Sequence, residues 1–133
     1  MALKVELKPN ERLIIGDAVI TNDDSRTRLY IEGSSPILRE KDIIRPNEAD
    51  TPCKKIYVIL QLMYLSTTPR DHHESYFESV TEVQNAAPST ASYFDAINSE
   101  ILADNYYKAL KEAQKLIAYE EELVSNAQSP ECV

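Results

Sequence analysis

Apolar and polar positions alternate along the first 45 residues in short runs separated by turn-forming residues. Leu3, Val5 and Leu7 alternate with Ala2, Lys4, Glu6 and Lys8, the period of two expected of a half-buried strand. Pro9-Asn10 ends that run. Leu13-Ile14-Ile15 and Ala18-Val19-Ile20-Thr21, separated by Gly16-Asp17, predict two further strands, and Asn22-Asp23-Asp24-Ser25 supplies turn chemistry through short polar side chains. Thr27, Leu29 and Ile31 then alternate with Arg26, Arg28, Tyr30 and Glu32. Gly33-Ser34-Ser35-Pro36 closes this run, and Ile37-Leu38-Arg39 predicts one more short strand. Four or five short strands with tight turns make a small antiparallel sheet or barrel over residues 1–45.

Beyond Arg45-Pro46-Asn47 the period changes to that of helices. Thr51 is placed as an N-cap with Pro52 at the first helical position, where its missing N–H is not needed. Ile56, Ile59, Leu60 and Met63 share one face. Thr68-Pro69-Arg70-Asp71 repeats the start signal, with Asp71 placed to complete a capping box, and Tyr76, Phe77, Val80 and Val83 form the next stripe. Pro88-Ser89 opens a third segment carrying Phe94, Ile97 and Ile101. Asp104 is the predicted cap of a fourth, with Tyr106, Leu110, Ala113, Ile117 and Val124 at helical spacing. Glu120-Glu121-Glu122 opposes the helix dipole near the end of that segment, and the residues from about 125 to 133 are expected to form a disordered tail. The fold class predicted is α+β: a strand domain over 1–45, then a helical region of about four helices over 46–133.

Composition narrows the function classes. The 133 residues include only two Gly, which argues against a glycine-built phosphate cradle. His72 and His73 are adjacent, so they point apart on a helix or strand, and no carboxylate or Cys stands at ligand spacing to them. A solvated helix start explains them, and a solvated face explains Glu120–Glu122. Neither Ser nor Cys has a nucleophile context. Cys53 and Cys132 are expected to be free thiols. The reading is a non-enzyme without metal or cofactor. The N-terminus carries a charge at every second residue and lacks a signal-peptide block. The apolar run from Ile56 to Leu65 is too short to span a bilayer. A soluble, cytoplasmic protein with no membrane partner is the expectation.

The net charge of −8 is unevenly divided. Residues 1–57 hold ten Lys/Arg and ten Asp/Glu, whereas residues 58–133 hold four and twelve. An acidic surface repels nucleic acid, but a neutral strand domain with well-placed Arg is compatible with it. On an alternating strand Arg26 and Arg28 share a face, as do Lys4 and Lys8, while Arg39 ends the last strand. Arg can bond the edge of a guanine exposed in a single-stranded loop. The structural alternative is a solvated outer face with Glu6 and Glu32 interleaved. Seven of the eight Tyr lie in the helical region, where such rings serve helix seams and interfaces.

Several blocks resemble a known family. Leu3-Lys4-Val5-Glu6-Leu7-Lys8-Pro9-Asn10-Glu11-Arg12, Arg26-Thr27-Arg28-Leu29 and Pro36-Ile37-Leu38-Arg39-Glu40-Lys41-Asp42-Ile43 resemble the N-terminal signature of the FlbT flagellar regulators. Ala49-Asp50-Thr51-Pro52, Gln61-Leu62-Met63-Tyr64-Leu65, Tyr107-Lys108-Ala109-Leu110-Lys111 and Leu116-Ile117-Ala118-Tyr119-Glu120 continue the likeness to about residue 124. The resemblance implies a post-transcriptional repressor that associates with the 5′ untranslated region of flagellin mRNA and promotes its decay. Glu11-Arg12-Leu13-Ile14-Ile15-Gly16-Asp17-Ala18-Val19 and Arg39-Glu40-Lys41-Asp42-Ile43 are also similar to the carbon-storage regulator CsrA, an interlocked β dimer that grips RNA loops. That likeness implies a homodimer or higher homo-oligomer, with Arg39 as the principal RNA contact and Val5 at an apolar contact position. Lys8 keeps a basic position, although Leu7 stands where CsrA has an Arg, and the segment enclosed by Pro36 and Arg39 is shorter than in CsrA. RNA-binding residues expected on these grounds are Arg39, Lys8, Arg26, Arg28, Lys4 and Val5. The alternative is a protein-interaction adaptor whose acidic helices bind flagellin or another flagellar regulator.

Overall fold

The computed structural model describes residues 2–128, with side chains as far as 126. The chain divides into two compact units. One holds the residues up to Ile43 together with Leu65–Thr67, and the other holds Ile44–Tyr64 and the chain from Thr68 onward. The fold is α+β: five strands and four α-helices among the described residues, the strands first.

In the strand unit, β1 (Ala2–Leu7) pairs antiparallel with β4 (Thr27–Glu32), setting Val5 opposite Leu29 and Glu6 opposite Arg28. β2 (Arg12–Ile15) is the central strand of a second sheet, flanked by β3 (Ala18–Thr21) and β5 (Ile37–Arg39). Both sheets are open, so of the two architectures expected it is the sheet, and not the closed barrel, that forms. Val5, Leu7 and Leu13 make the core, with Ile15, Leu29, Ile31 and Ile37 packed on it. These are the inward positions of the period-two runs. Leaving any of them in water would forfeit roughly 1.5–3 kcal/mol of burial.

Turn chemistry holds the ends of these strands. Gly16, at φ +59°, opens the two-residue turn between β2 and β3 in the left-handed region that glycine tolerates. At the other end Asn22 ties two loops together. Its Nδ2 donates to the carbonyls of Lys8 (2.8 Å), Ser25 (2.9 Å) and Leu7 (3.3 Å). Beside it the Asn10 N–H donates to Asp23 O at 2.9 Å, and Asn10 itself sits at φ +65°. Arg12 Nε bonds Glu40 Oε1 at 2.8 Å, which links β2 to the 3₁₀ turn Glu40–Asp42.

The helical unit consists of α1 (Pro52–Leu65), α2 (His73–Ala86), α3 (Ala91–Leu102) and α4 (Tyr106–Gln128). Ile56, Leu60 and Met63 of α1, Tyr76 and Val80 of α2, Phe94, Ile97 and Ile101 of α3, and Leu110, Ala113 and Leu116 of α4 are buried. The expected stripes supply most of this core. Phe77 and Val124, placed in those stripes by spacing, are instead 44% and 47% exposed. Thr51 caps α1 as expected, its Oγ1 accepting from the Lys54 N–H at 3.2 Å. The buried Gln61 side chain accepts from the Ile44 N–H at 3.0 Å and donates to the Ile44 carbonyl at 3.2 Å.

Three helix ends differ from expectation. Thr68 makes no side-chain cap, so the Asp71 capping box does not form; Pro69–His72 is a 3₁₀ turn and α2 begins at His73. His73 is half-buried, with Nε2 3.2 Å from Tyr106 Oη, and is more than a solvated helix start. Asp104 does not cap α4. It stands at φ +59° and closes α3, where its N–H donates to Ile101 O at 3.0 Å and the Asn105 N–H donates to Glu100 O at 2.8 Å. That pair of bonds is a Schellman closure, which needs a left-handed residue.

Glu120 departs from its expected solvated face. Its Oε2 accepts from the Cys53 N–H at 3.1 Å, filling one of the unpaired donors at the start of α1, and its Oε1 is buried. α4 remains helical through Gln128, so residues 125–128 belong to it; the rest of the expected tail, with Cys132, lies outside the described residues. A left-handed Asp is less favourable than Gly. Asp104→Gly should therefore raise stability by up to about 1 kcal/mol, seen as a higher Tm in thermal denaturation.

Candidate nucleic-acid interface

The pairing of β1 with β4 determines which side chains share the outer face of that ribbon. Because Val5, Leu7, Leu29 and Ile31 turn inward, Lys4 and Glu6 of β1 turn outward beside Tyr30 and Arg28 of β4. The ladder ends at Leu7 opposite Thr27, so the next position on each side brings Lys8 level with Arg26. Lys4, Lys8, Arg26 and Arg28 are all exposed. The outer side of this ribbon, with the residues just past its end, therefore gathers four of the six predicted residues, interrupted by Glu6 and Glu32. Glu6, Arg26, Thr27 and Arg28 line a shallow depression at this end.

Arg28 spans the ladder to Glu6, with Nη2 3.3 Å from Oε1 and both side chains about half exposed. An ion pair this open is worth little in water and is readily exchanged for another anion. Lys4, Lys8 and Arg26 have no carboxylate partner among the described residues. The Lys8 N–H donates to Glu11 Oε1 at 2.8 Å, and Asn22 holds the Lys8 carbonyl, so the backbone that presents this lysine is fixed from both sides.

Of the other two predicted residues, Val5 lies on the inner side of the ribbon and Arg39 lies outside it. Val5 is a core residue at 1% exposure, on the inward side of the alternation, and its side chain is not available at the surface as an apolar contact. Arg39 is exposed at the end of β5, opposite Leu13 in the three-stranded sheet, and so is not part of the β1–β4 ribbon. The residue that sequence reasoning passed over is Tyr30. It is 65% exposed and directly opposite Lys4, unlike the tyrosines of the helical unit, of which Tyr57 and Tyr76 are fully buried. Its signal was present in the alternation Arg26, Arg28, Tyr30, Glu32.

No group of three or more His, Cys, Asp or Glu among the described residues is arranged to hold a metal ion. No helix among them is long and apolar enough to cross a membrane. Cys53 is a free thiol buried at the start of α1. Burial, with the Glu120 carboxylate beside it, pushes its pKa up to about 12 from an ordinary value near 9.0. A neutral thiol is a poor nucleophile. Because the folded value lies above the unfolded one, the folded chain retains this proton, and stability falls as pH rises from about 9.0 towards 12. Denaturation midpoints should drop across that window, and Cys53→Ala should show a shallower drop. In a Cys132→Ser background, Cys53 at neutral pH should react with a thiol reagent far more slowly in native than in unfolded protein.

The molecule is thus a small α+β protein that pairs a basic-faced β-ribbon with an acidic helical unit. The sequence model of the flagellar protein FlbT matches residues 3–124. A probable flagellum biosynthesis repressor protein FlbT 1 of Bradyrhizobium diazoefficiens is 54% identical over 92% of this chain and 85% of its own length. The probable repressor of Rhodopseudomonas palustris is 47% identical over 94% and 99%. The flagellum biosynthesis repressor protein FlbT of Caulobacter vibrioides is 34% identical over 97% and 94%. The chain belongs to the FlbT family of flagellar proteins. No solved structure matches it.

Proposed function

We propose that this chain is a cytoplasmic post-transcriptional regulator of flagellum biogenesis. In this reading it associates with the 5′ untranslated region of flagellin mRNA and promotes the degradation of that transcript, without itself being an enzyme. The outer face of the β1–β4 ribbon carries the proposal, with Lys4, Lys8, Arg26 and Arg28 exposed together against Glu6 and Glu32. Phosphate contacts from such residues supply most of the affinity for RNA and make it dependent on salt. The naming of relatives as flagellum biosynthesis repressors supports the process and its direction.

The charge division favours a second reading for the helices. Residues 58–133 hold twelve acids against four bases, a surface that repels phosphate and suits a basic protein partner such as flagellin or another flagellar regulator. A homodimer or higher homo-oligomer belongs to the proposal as well. The edge strand β3 supports it: all four of its residues are exposed, Val19 at 62%, and it carries no charge or proline to block pairing.

Titration against the 5′ leader of a cognate flagellin transcript and an unrelated leader of equal length, at two salt concentrations, tests the RNA role. Leader-selective binding that weakens steeply with salt is expected, and equal or absent binding would move the weight to the acidic helices. Lys8→Ala and Arg26→Ala should each lower the salt slope by about 1, while Arg39→Ala should cost about 1–3 kcal/mol where it reads a base. Near-normal affinity for Arg39→Ala would remove it from the interface and leave the ribbon. Val19→Lys should shift the solution mass towards the monomer; an unchanged oligomer would place the interface away from β3.

A further inference from the structure

Tyr30 is the one large aromatic on the outer face of the β1–β4 ribbon, and nothing in the fold requires it there. Its ring is 65% exposed in the middle of β4, where the hydrogen-bonded ladder to β1 holds its backbone. Lys4 lies directly across the ladder from it, and on its own strand Arg28 stands two residues to one side and Glu32 two residues to the other. The remaining cations, Lys8 and Arg26, are exposed at the positions that directly follow the last pair of the ladder. A solvated face would be served as well by Thr or Lys at this position, both of which suit an exposed strand without leaving a ring in water.

An exposed ring flanked by cations matches the chemistry of an unpaired nucleotide, which offers a flat base and a phosphate on one backbone. A duplex offers the phosphates alone, because its base faces are stacked on one another. Charge therefore recognises both forms, while the ring distinguishes between them. We propose that Tyr30 is a specificity-determining residue that stacks an unpaired base, with Lys4 and Arg28 on the adjoining phosphates, so that this face selects single-stranded over double-stranded RNA. The inference rests on the RNA reading above and adds the form of RNA recognised.

The test uses the full chain, with a short oligoadenylate as probe, alone and annealed to its oligouridylate complement. Wild type is expected to bind the single strand more tightly than the duplex. Tyr30→Ala should weaken single-strand binding about tenfold or more, leaving the duplex affinity and the salt slope unchanged. Tyr30→Phe, which keeps the ring, should stay close to wild type. The side chain is outside the core, so all variants should melt like wild type. Single-strand binding by Tyr30→Ala equal to wild type would overturn the stacking role while leaving the RNA reading intact, and so would an equal loss on single strand and duplex. Wild type that binds neither form would overturn both.

Discussion

The two-residue repeat of a β-strand leaves the chain no freedom to choose one face of the β1–β4 ribbon without choosing the other. Val5, Leu7, Leu29 and Ile31 must all turn inward if Leu13 and its neighbours are to be covered. That requirement sends Lys4, Glu6, Arg28 and Tyr30 outward together. A slip of one residue in β1 would turn Lys4 and Glu6 inward and Val5 and Leu7 outward, a change large enough to offset much of the stability of a domain this small. The register of the core and the composition of the basic face are therefore one constraint. The loop bonds of Asn22 extend it past the end of the ladder to Lys8.

Charge in this protein is segregated by unit as well as by face. The strand unit mixes signs, with Arg12 and Glu40 bonded at 2.8 Å and Arg28 and Glu6 at 3.3 Å, while Lys4, Lys8 and Arg26 stand apart from any carboxylate among the described residues. The tighter pair is about one-third exposed and ties β2 to the turn after β5; the looser pair is about half exposed and ties down nothing but two side chains. Such differences separate ion pairs that hold a fold from those that tune the charge of a surface. In the helical unit polar groups serve the packing. The Gln61 bonds to Ile44, and the 2.7 Å bond from Tyr76 Oη to Asn98 Oδ1, satisfy groups that would otherwise be buried without partners.

Much of this was legible in the residues, because period and punctuation are local. Each predicted strand corresponds to an observed one, and the stripes of α1 and α3 identified Ile56, Leu60, Met63, Phe94, Ile97 and Ile101 as buried. The closure of the sheets was not legible, because barrel and open sheet share one alternation and differ only in which edges meet. Helix ends read from short motifs fared unevenly. Thr51 caps α1 through a bond three residues away, whereas Asp104 satisfies both an N-cap pattern and a left-handed closure, and only the carbonyls of Glu100 and Ile101 decide between them. Glu120 looked like part of an acidic run because its partner, the Cys53 N–H, is far away in sequence. Within the candidate interface, alternation placed the cations correctly on one face. The apolar position of Val5, transferred by analogy, conflicted with the same alternation.

The bond from Glu120 to the first turn of α1 joins residues 67 positions apart. During synthesis the chain emerges from its N-terminus, so the segment that becomes α1 leaves the ribosome long before the carboxylate that completes its start. Until α4 is made, that first turn has Thr51 as its local cap and one backbone donor open to water. The helical unit consequently reaches its final form late in translation, and a chain released before residue 120 would carry every residue of α1 yet lack a group that fastens it.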